Sequence, residues 1–290
     1  MLAAATTAAI KLSAVAAASE HFVVAPSMIV EELAPRNLPV ETVAALHADL
    51  ASMKPISLFD PRFAERLRSS MQAASPWVLD VRRVERLFPN RVRVDLDLRT
   101  PIASLDDGTR RYVVDADCRV LLSEPLIGRT TFDETVLSIK GLDRRIDVGL
   151  GASLAAVSSV RAAVAVAEEL RLLPDLEKKQ LFDLRPVAID VSAQRNGVPV
   201  AAGMVWIETA NGVGLSWGRA QEWRDDNHEP LGLTEPAPVN KVRNLTRVEQ
   251  MFPGLTGLEE VFLAEGLAAY RPLGGQKTYL SSRDPGTRGR

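Results

Sequence analysis

The chain has 290 residues, 46% hydrophobic and 25% charged, enough for a real core in one or two ordinary globular domains. Lys and Arg number 35 against 37 Asp and Glu, a net charge of −2, so composition gives no support for nucleic-acid binding. The single Cys118 excludes an internal disulfide framework without fixing the compartment.

Leu2 to Ala18 is Ala-rich and mildly apolar, interrupted by Lys11. It is short and weak for a spanning helix, and no basic segment precedes it. Ala16 to Ala18 resemble a signal-peptide cleavage region, but the positive n-region is absent. Residues 1–20 read as an Ala-rich helix or as the truncated end of a membrane anchor. Phe22-Val23-Val24 and Met28-Ile29-Val30 are short runs of strand type. Val40 to Met53 reads as a helix with Val43, Leu46 and Leu50 as its stripe. A second helix follows Asp60, a good N-cap, with Pro61 in its first position; Phe63, Leu67 and Met71 share one face.

After Ser75-Pro76-Trp77-Val78, a strand runs from Val84 toward the turn at Phe88-Pro89-Asn90. From Val92 to Leu98, Val92, Val94, Leu96 and Leu98 alternate with Arg93, Asp95 and Asp97, so one face is buried and the other wet. Pro101 marks a strand end, and Asp106-Asp107-Gly108 a hairpin turn before Tyr112-Val113-Val114. The order over residues 21–103 is β-α-α-β-β.

That order, with Pro-Trp-Val, a strand, Phe-Pro, a strand and Pro101-Ile102-Ala103, resembles the POTRA domain of the FtsQ/DivIB family of bacterial cell-division proteins. Val114-Asp115-Ala116 fits the pattern too. Trp77 to Pro89 runs a residue longer than the family's spacing, which calls for a bulge or a shifted turn. Cys118 sits near where the family commonly has Gly. A second block matches downstream. Val213 to Arg219 reads as a strand ending in Gly218-Arg219, Lys241 to Leu245 opens a helix that ends at Met251-Phe252-Pro253, and Glu260 to Leu263 is a strand.

Between the blocks, Ala152 to Leu173 is the strongest helix, with Ser153 as its N-cap, stripe residues Leu154, Val157, Val160, Val164, Ala167 and Leu170, and Pro174 as its stop. Val187 to Val191 and Val200 to Ile207 read as strands around the Asn196-Gly197 turn, and Asn211-Gly212 makes the next turn. The fold class is α+β: an N-terminal POTRA (β-α-α-β-β) over 21–103, then a strand-dominated mixed α/β domain over 104–273. Residues 274–290 read as an unstructured tail.

No catalytic, cofactor or metal set emerges. His21, His47 and His228 lack ligand spacing. Gly149 to Ser153 lacks both the dinucleotide fingerprint and the phosphate-loop Lys, so anion binding there gives way to a helix cap. Asp225-Asp226-Asn227 lacks the later bidentate Glu of a calcium loop. Trp77 and Trp217, flanked by apolar residues, read as core.

The resemblance implies a non-enzymatic scaffold at the bacterial cytoplasmic (inner) membrane of the division site, with most of the chain extracytoplasmic. Its implied partners are divisome proteins of the FtsB and FtsL type, with septal peptidoglycan synthesis proteins as further ones; no cofactor is implied. A POTRA-bearing chaperone-like module of outer-membrane assembly or secretion is the alternative, and it predicts tandem repeats or a barrel pattern. The partner strand is expected at Glu260, Val261, Phe262, Leu263 and Ala264, continuing through Leu267 to Tyr270. As the last regular strand, it reads as a sheet edge, with Val261 and Leu263 inward and strand addition as the binding mode; the alternative is that Val261 and Leu263 simply fill the core while the tail covers the edge.

Overall fold

The computed structural model describes residues 22–33, 40–87, 89–106, 108–125, 136–142, 145–195, 198–220, 236–264 and 268–280. Residues 1–20, His21, Phe88, Asp107, the Asn196-Gly197 turn, the 225–227 run, His228, Leu267 and 281–290 lie outside them. The chain divides into two compact units at Thr100 and Pro101.

The first unit runs β1 (Val23–Val24), β2 (Ile29–Leu33), α1 (Val40–Ala51), β3 (Ile56–Ser57), α2 (Phe63–Ala74), β4 (Val78–Leu87) and β5 (Arg91–Leu98). β1 and β3 form a separate antiparallel pair. The main sheet has the order β2-β5-β4. β2 is parallel to β5, from Ile29 opposite Val92 to Leu33 opposite Leu96. β4 is antiparallel to β5, with register shifts between Val78 and Asp80 and between Val81 and Arg83. At each bulge two residues of β4 take the place of one on β5.

The alternation in β5 holds. Val92, Val94, Leu96 and Leu98 are buried, as are Phe63, Leu67 and Met71 of α2. Arg93, Asp95 and Asp97 are half-buried rather than fully exposed. Two of these charges have cross-strand partners: Arg82 meets Asp97 at 2.9 Å and Arg93 meets Glu85 at 3.5 Å. In α1, Leu46 and Leu50 are buried and Val43 half-buried. Ser75, at the C-cap of α2, donates its hydroxyl to Asp49 of α1 at 2.7 Å. Asp60 is not the helix N-cap. Its carboxylate accepts the Arg62 N–H at 2.8 Å and its carbonyl accepts the Phe63 N–H at 3.0 Å, so it shapes the turn that Pro61 forces ahead of the helix.

The second unit carries β6 (Ala103–Asp106), β7 (Arg110–Val114), β8 (Val120–Pro125), β9 (Leu137–Lys140), α3 (Ser158–Arg171), α4 (Asp175–Asp183), β10 (Pro186–Asp190), β11 (Gln194–Arg195), β12 (Val198–Pro199), β13 (Val205–Thr209), β14 (Gly214–Gly218), α5 (Pro238–Met251), β15 (Leu258–Phe262), β16 (Ala269–Pro272) and β17 (Thr278–Tyr279). Ten strands form one mixed sheet, in the order β17-β16-β15-β14-β13-β10-β9-β6-β7-β8. Among the described residues β11 and β12 pair only with each other.

One row of side chains crosses this sheet in register: Tyr112, Leu105, Ile139, Ile189, Ile207, Leu215, Val261 and Tyr270. It belongs to the core that also holds Val160, Val164 and Ala167 of α3 and Val242, Leu245 and Val248 of α5. Side-chain period two in the strands and 3.6 in the helices bring these faces together. Trp217 is fully buried, its indole N–H donating to Glu169 at 2.9 Å, and Trp77 is buried in the first unit.

Two boundaries differ from expectation. α3 begins at Ser158 with Val157 as its N-cap. Ser153 instead bridges to Arg119 and its hydroxyl accepts the Ala155 N–H at 3.3 Å, because residues 149–154 run beside β8 before the helix starts. The expected strand at Val200 to Ile207 starts only at Val205, since a turn from Ala201 to Met204, with Gly203 at φ 77°, precedes it. Among the described residues, no helix is long and apolar enough to cross a membrane.

Candidate functional site

β15 is not an edge. It pairs in parallel with β14, Leu215 opposite Val261, and antiparallel with β16, Val261 opposite Tyr270. After Ala264 the chain comes back as β16, and the Gly274 turn (φ 67°) brings it back again as β17. The expected tail is therefore ordered as far as Leu280. The expected partner residues divide accordingly. Val261 and Leu263 are fully buried in the core, as expected, while Phe262 and Ala264 are half-buried. Tyr270 is half-buried, with its ring 4.8 Å from that of Phe252.

Glu260 is 3% exposed and cannot meet a partner directly. One carboxylate oxygen accepts the Trp206 indole N–H at 2.6 Å and lies 3.3 Å from Arg195 Nε. The other lies 3.1 Å from Arg271 Nη1. A buried carboxylate persists only with such compensation. The face of the sheet away from the helices is thus built around charge. One row of it reads Glu208, Gly214, Glu260, Arg271, and the next Asp190, Trp206, Ser216, Phe262, Ala269, Tyr279.

At the outer end of these rows, Phe262 carries two cations: Lys277 Nζ lies 4.2 Å and the Arg271 guanidinium 5.4 Å from its ring centre. Lys277 also lies 5.1 Å from the ring of Tyr279. The surface beside the edge is therefore aromatic and cationic, a composition that suits protein recognition.

The backbone of the edge can be assigned. The Leu280 N–H donates to the Ala268 carbonyl at 2.9 Å, making that pair a hydrogen-bonded one. Antiparallel pairs alternate, so Ala269 and Tyr279 form a non-hydrogen-bonded pair. The Tyr279 N–H and C=O therefore point away from β16. Among the described residues no strand lies beyond β17, and Tyr279 is 54% exposed. These two backbone groups form a short open template for another chain.

The chain matches no family model and no curated protein sequence.

Trp206, Arg195, Arg271, Lys277 and Tyr279 escape a sequence reading of this site. Thr278-Tyr279-Leu280 is a β-prone run after Gly274-Gly275, the one signal for a returning strand. Elsewhere, a cavity of about 470 Å³ is lined by Asp106, Thr109, Lys140 and Arg145 among others. Lys140 is paired there with Glu208 at 2.9 Å, and Arg145 donates to Thr109 at 3.3 Å. Among the described residues no cluster of three or more His, Cys, Asp or Glu could hold a metal.

Proposed function

We propose that this chain is a non-enzymatic scaffold of the FtsQ/DivIB type. Its first unit is a POTRA domain and its second the partner-bearing β domain. It works outside the bacterial cytoplasmic membrane at the division site. There it holds bitopic coiled-coil partners of the FtsB and FtsL type, and links them to septal peptidoglycan synthesis proteins.

Two sets of observations support this. In the first unit, with the separate β1–β3 pair set aside, β2, α1, α2, β4 and β5 occur in β-α-α-β-β order, and β4 is bulged twice within the Trp77-to-Pro89 stretch. In the second, Gly218-Arg219 ends a strand, α5 carries Lys241, Phe252-Pro253 follows and β15 comes next. The observation that carries the reading is the exposed β17 edge, with the Tyr279 backbone turned outward. Strand addition takes affinity from such main-chain groups and selectivity from the side chains beside them, here Phe262, Arg271, Lys277 and Tyr279.

Proline tests the mode, because it deletes the outward donor. An FtsB-type extracytoplasmic segment is captured by the wild-type chain and lost with Tyr279→Pro, while circular dichroism stays unchanged. If the wild-type chain captures neither an FtsB-type nor an FtsL-type segment, the scaffold reading fails. If folded Tyr279→Pro captures as well as wild type, the scaffold stands and β17 is not its docking edge.

A further inference from the structure

The β11–β12 hairpin forms no part of the large sheet, yet one of its side chains reaches deep into the sheet's charged face. The Arg195 side chain is only 23% exposed. Its Nη1 lies 2.9 Å from Asp190 of β10 and its Nε 3.3 Å from Glu260 of β15. Its guanidinium sits 5.1 Å from the centre of the Trp206 ring on β13. Its Nη2 lies 2.2 Å from where a Cβ on Gly214 of β14 would be. One side chain thus touches four adjacent strands, and Gly214 is the residue that lets it lie flat against them.

We infer that Arg195 is a clasp that straps the β11–β12 arm onto the sheet, and that Gly214 is its seat. The chemistry suits a clasp. The planar fork of arginine serves two carboxylates at once and stacks on an indole, which lysine cannot do. Among the described residues, the arm's own backbone ties are the Gln194–Pro199 and Arg195–Val198 pairs and the bond from Val200 N–H to Ala193 carbonyl at 2.8 Å. A two-stranded hairpin of this size does not persist alone in water. Its order therefore depends on the clasp. With the clasp shut, Trp206 is 7% and Glu260 3% exposed. Releasing Arg195 takes one of the two cations from Glu260 and uncovers the indole, turning a closed, neutralised face into an acidic and aromatic one. Nothing in this clasp depends on what binds the β17 edge.

Hydrogen–deuterium exchange read by mass spectrometry over residues 193–201 tests it on the full chain. Arg195→Met keeps the length and removes the fork. Gly214→Ala leaves Arg195 in place but fills its seat, and it decides the matter should Arg195→Met fail to fold. Arg271→Met is the control, since it takes the other cation from Glu260 without touching the arm. The arm should be protected in wild type, exchange about tenfold faster or more in Arg195→Met and Gly214→Ala, and stay protected in Arg271→Met, with α3 and α5 unchanged in all of them. The clasp is overturned if the wild-type arm is already unprotected. It is equally overturned if filling the Gly214 seat leaves the arm's exchange unaltered, or if Arg271→Met loosens the arm as much as Arg195→Met does.

Discussion

β8 and β17 end the same sheet in opposite ways. β8 is six residues long and its start is covered. The Val120 N–H donates to the Ala152 carbonyl at 2.9 Å, and the Gly151 N–H to the Val120 carbonyl at 2.8 Å. The Leu154 N–H donates to the Cys118 carbonyl at 2.8 Å, and the Arg119 guanidinium to the Gly151 carbonyl at 3.0 Å. β17 is two residues long, both exposed, with the Tyr279 backbone facing out. One edge of the first unit's main sheet, β4, is protected in a third way. It is bulged twice, and α2 reaches over to it: Arg68 donates to the Val81 carbonyl and Gln72 to the Leu79 carbonyl, each at 2.9 Å. Bulges, covering loops and side-chain caps all block strand addition. What leaves an edge open is the absence of such devices, not the length of the strand.

The contrast breaks most sharply at the interior strand β15. Val261→Pro removes a ladder N–H from a strand paired on both sides and a fully buried side chain from the core. It should cost about 4 kcal/mol or more and abolish the cooperative thermal transition of the second unit, read by circular dichroism. Survival of that transition would mean that β15 is not interior. Next is the cover of β8. Leu154 is 3% exposed, so Leu154→Ala should cost about 2–4 kcal/mol in chemical denaturation. Cys118, the single thiol, lies beneath that cover. It should be inert to a thiol reagent in the native wild type and react faster in Leu154→Ala; equal rates would show that the cover does not shield it.

Cys118 also gives the pH dependence of the covered edge. Burial first, then the Asp115 carboxylate, push its thiol from 9.0 up to about 12. The unfolded chain loses this proton near 9.0 while the folded one keeps it to about 12. Between those values the unfolded state binds fewer protons, so the contribution is complete below about 9 and falls as pH rises. Wild type should therefore lose more stability than Cys118→Ala between pH 8 and roughly 10.5. Parallel losses would contradict the shift. The smallest effect belongs to the open edge: Tyr279→Pro should change stability by less than about 1 kcal/mol, because its N–H holds no partner within the sheet. A larger loss would mean that β17 is integral to the fold.

The legible parts of this molecule were those set by local periodicity. Val92 to Leu98 gave its own buried face, Phe63, Leu67 and Met71 gave theirs, and the α3 stripe from Val160 to Leu170 lies in the core. Cys118, near where the resembled family commonly has Gly, adopts φ 57°, a conformation that favours Gly. What stayed hidden depends on long-range pairing. Glu260 looks solvent-facing by alternation. It is buried because Arg195, Trp206 and Arg271, each remote or on another strand, close over it. Being last in a run of strong strand signals made β15 look like an edge, but two short, weak strands after it took the edge away. Register in β17 rests on two residue pairs, which no periodicity can reveal.

The most direct test of the central claim is the exchange rate of the Tyr279 backbone amide, followed by NMR with and without an FtsB-type extracytoplasmic segment. Free, this amide should exchange far faster than that of Val261. In the complex it should slow by about tenfold or more while Val261 stays protected in both states. A Tyr279 amide that exchanges at the same rate with the partner present as without it would contradict the account.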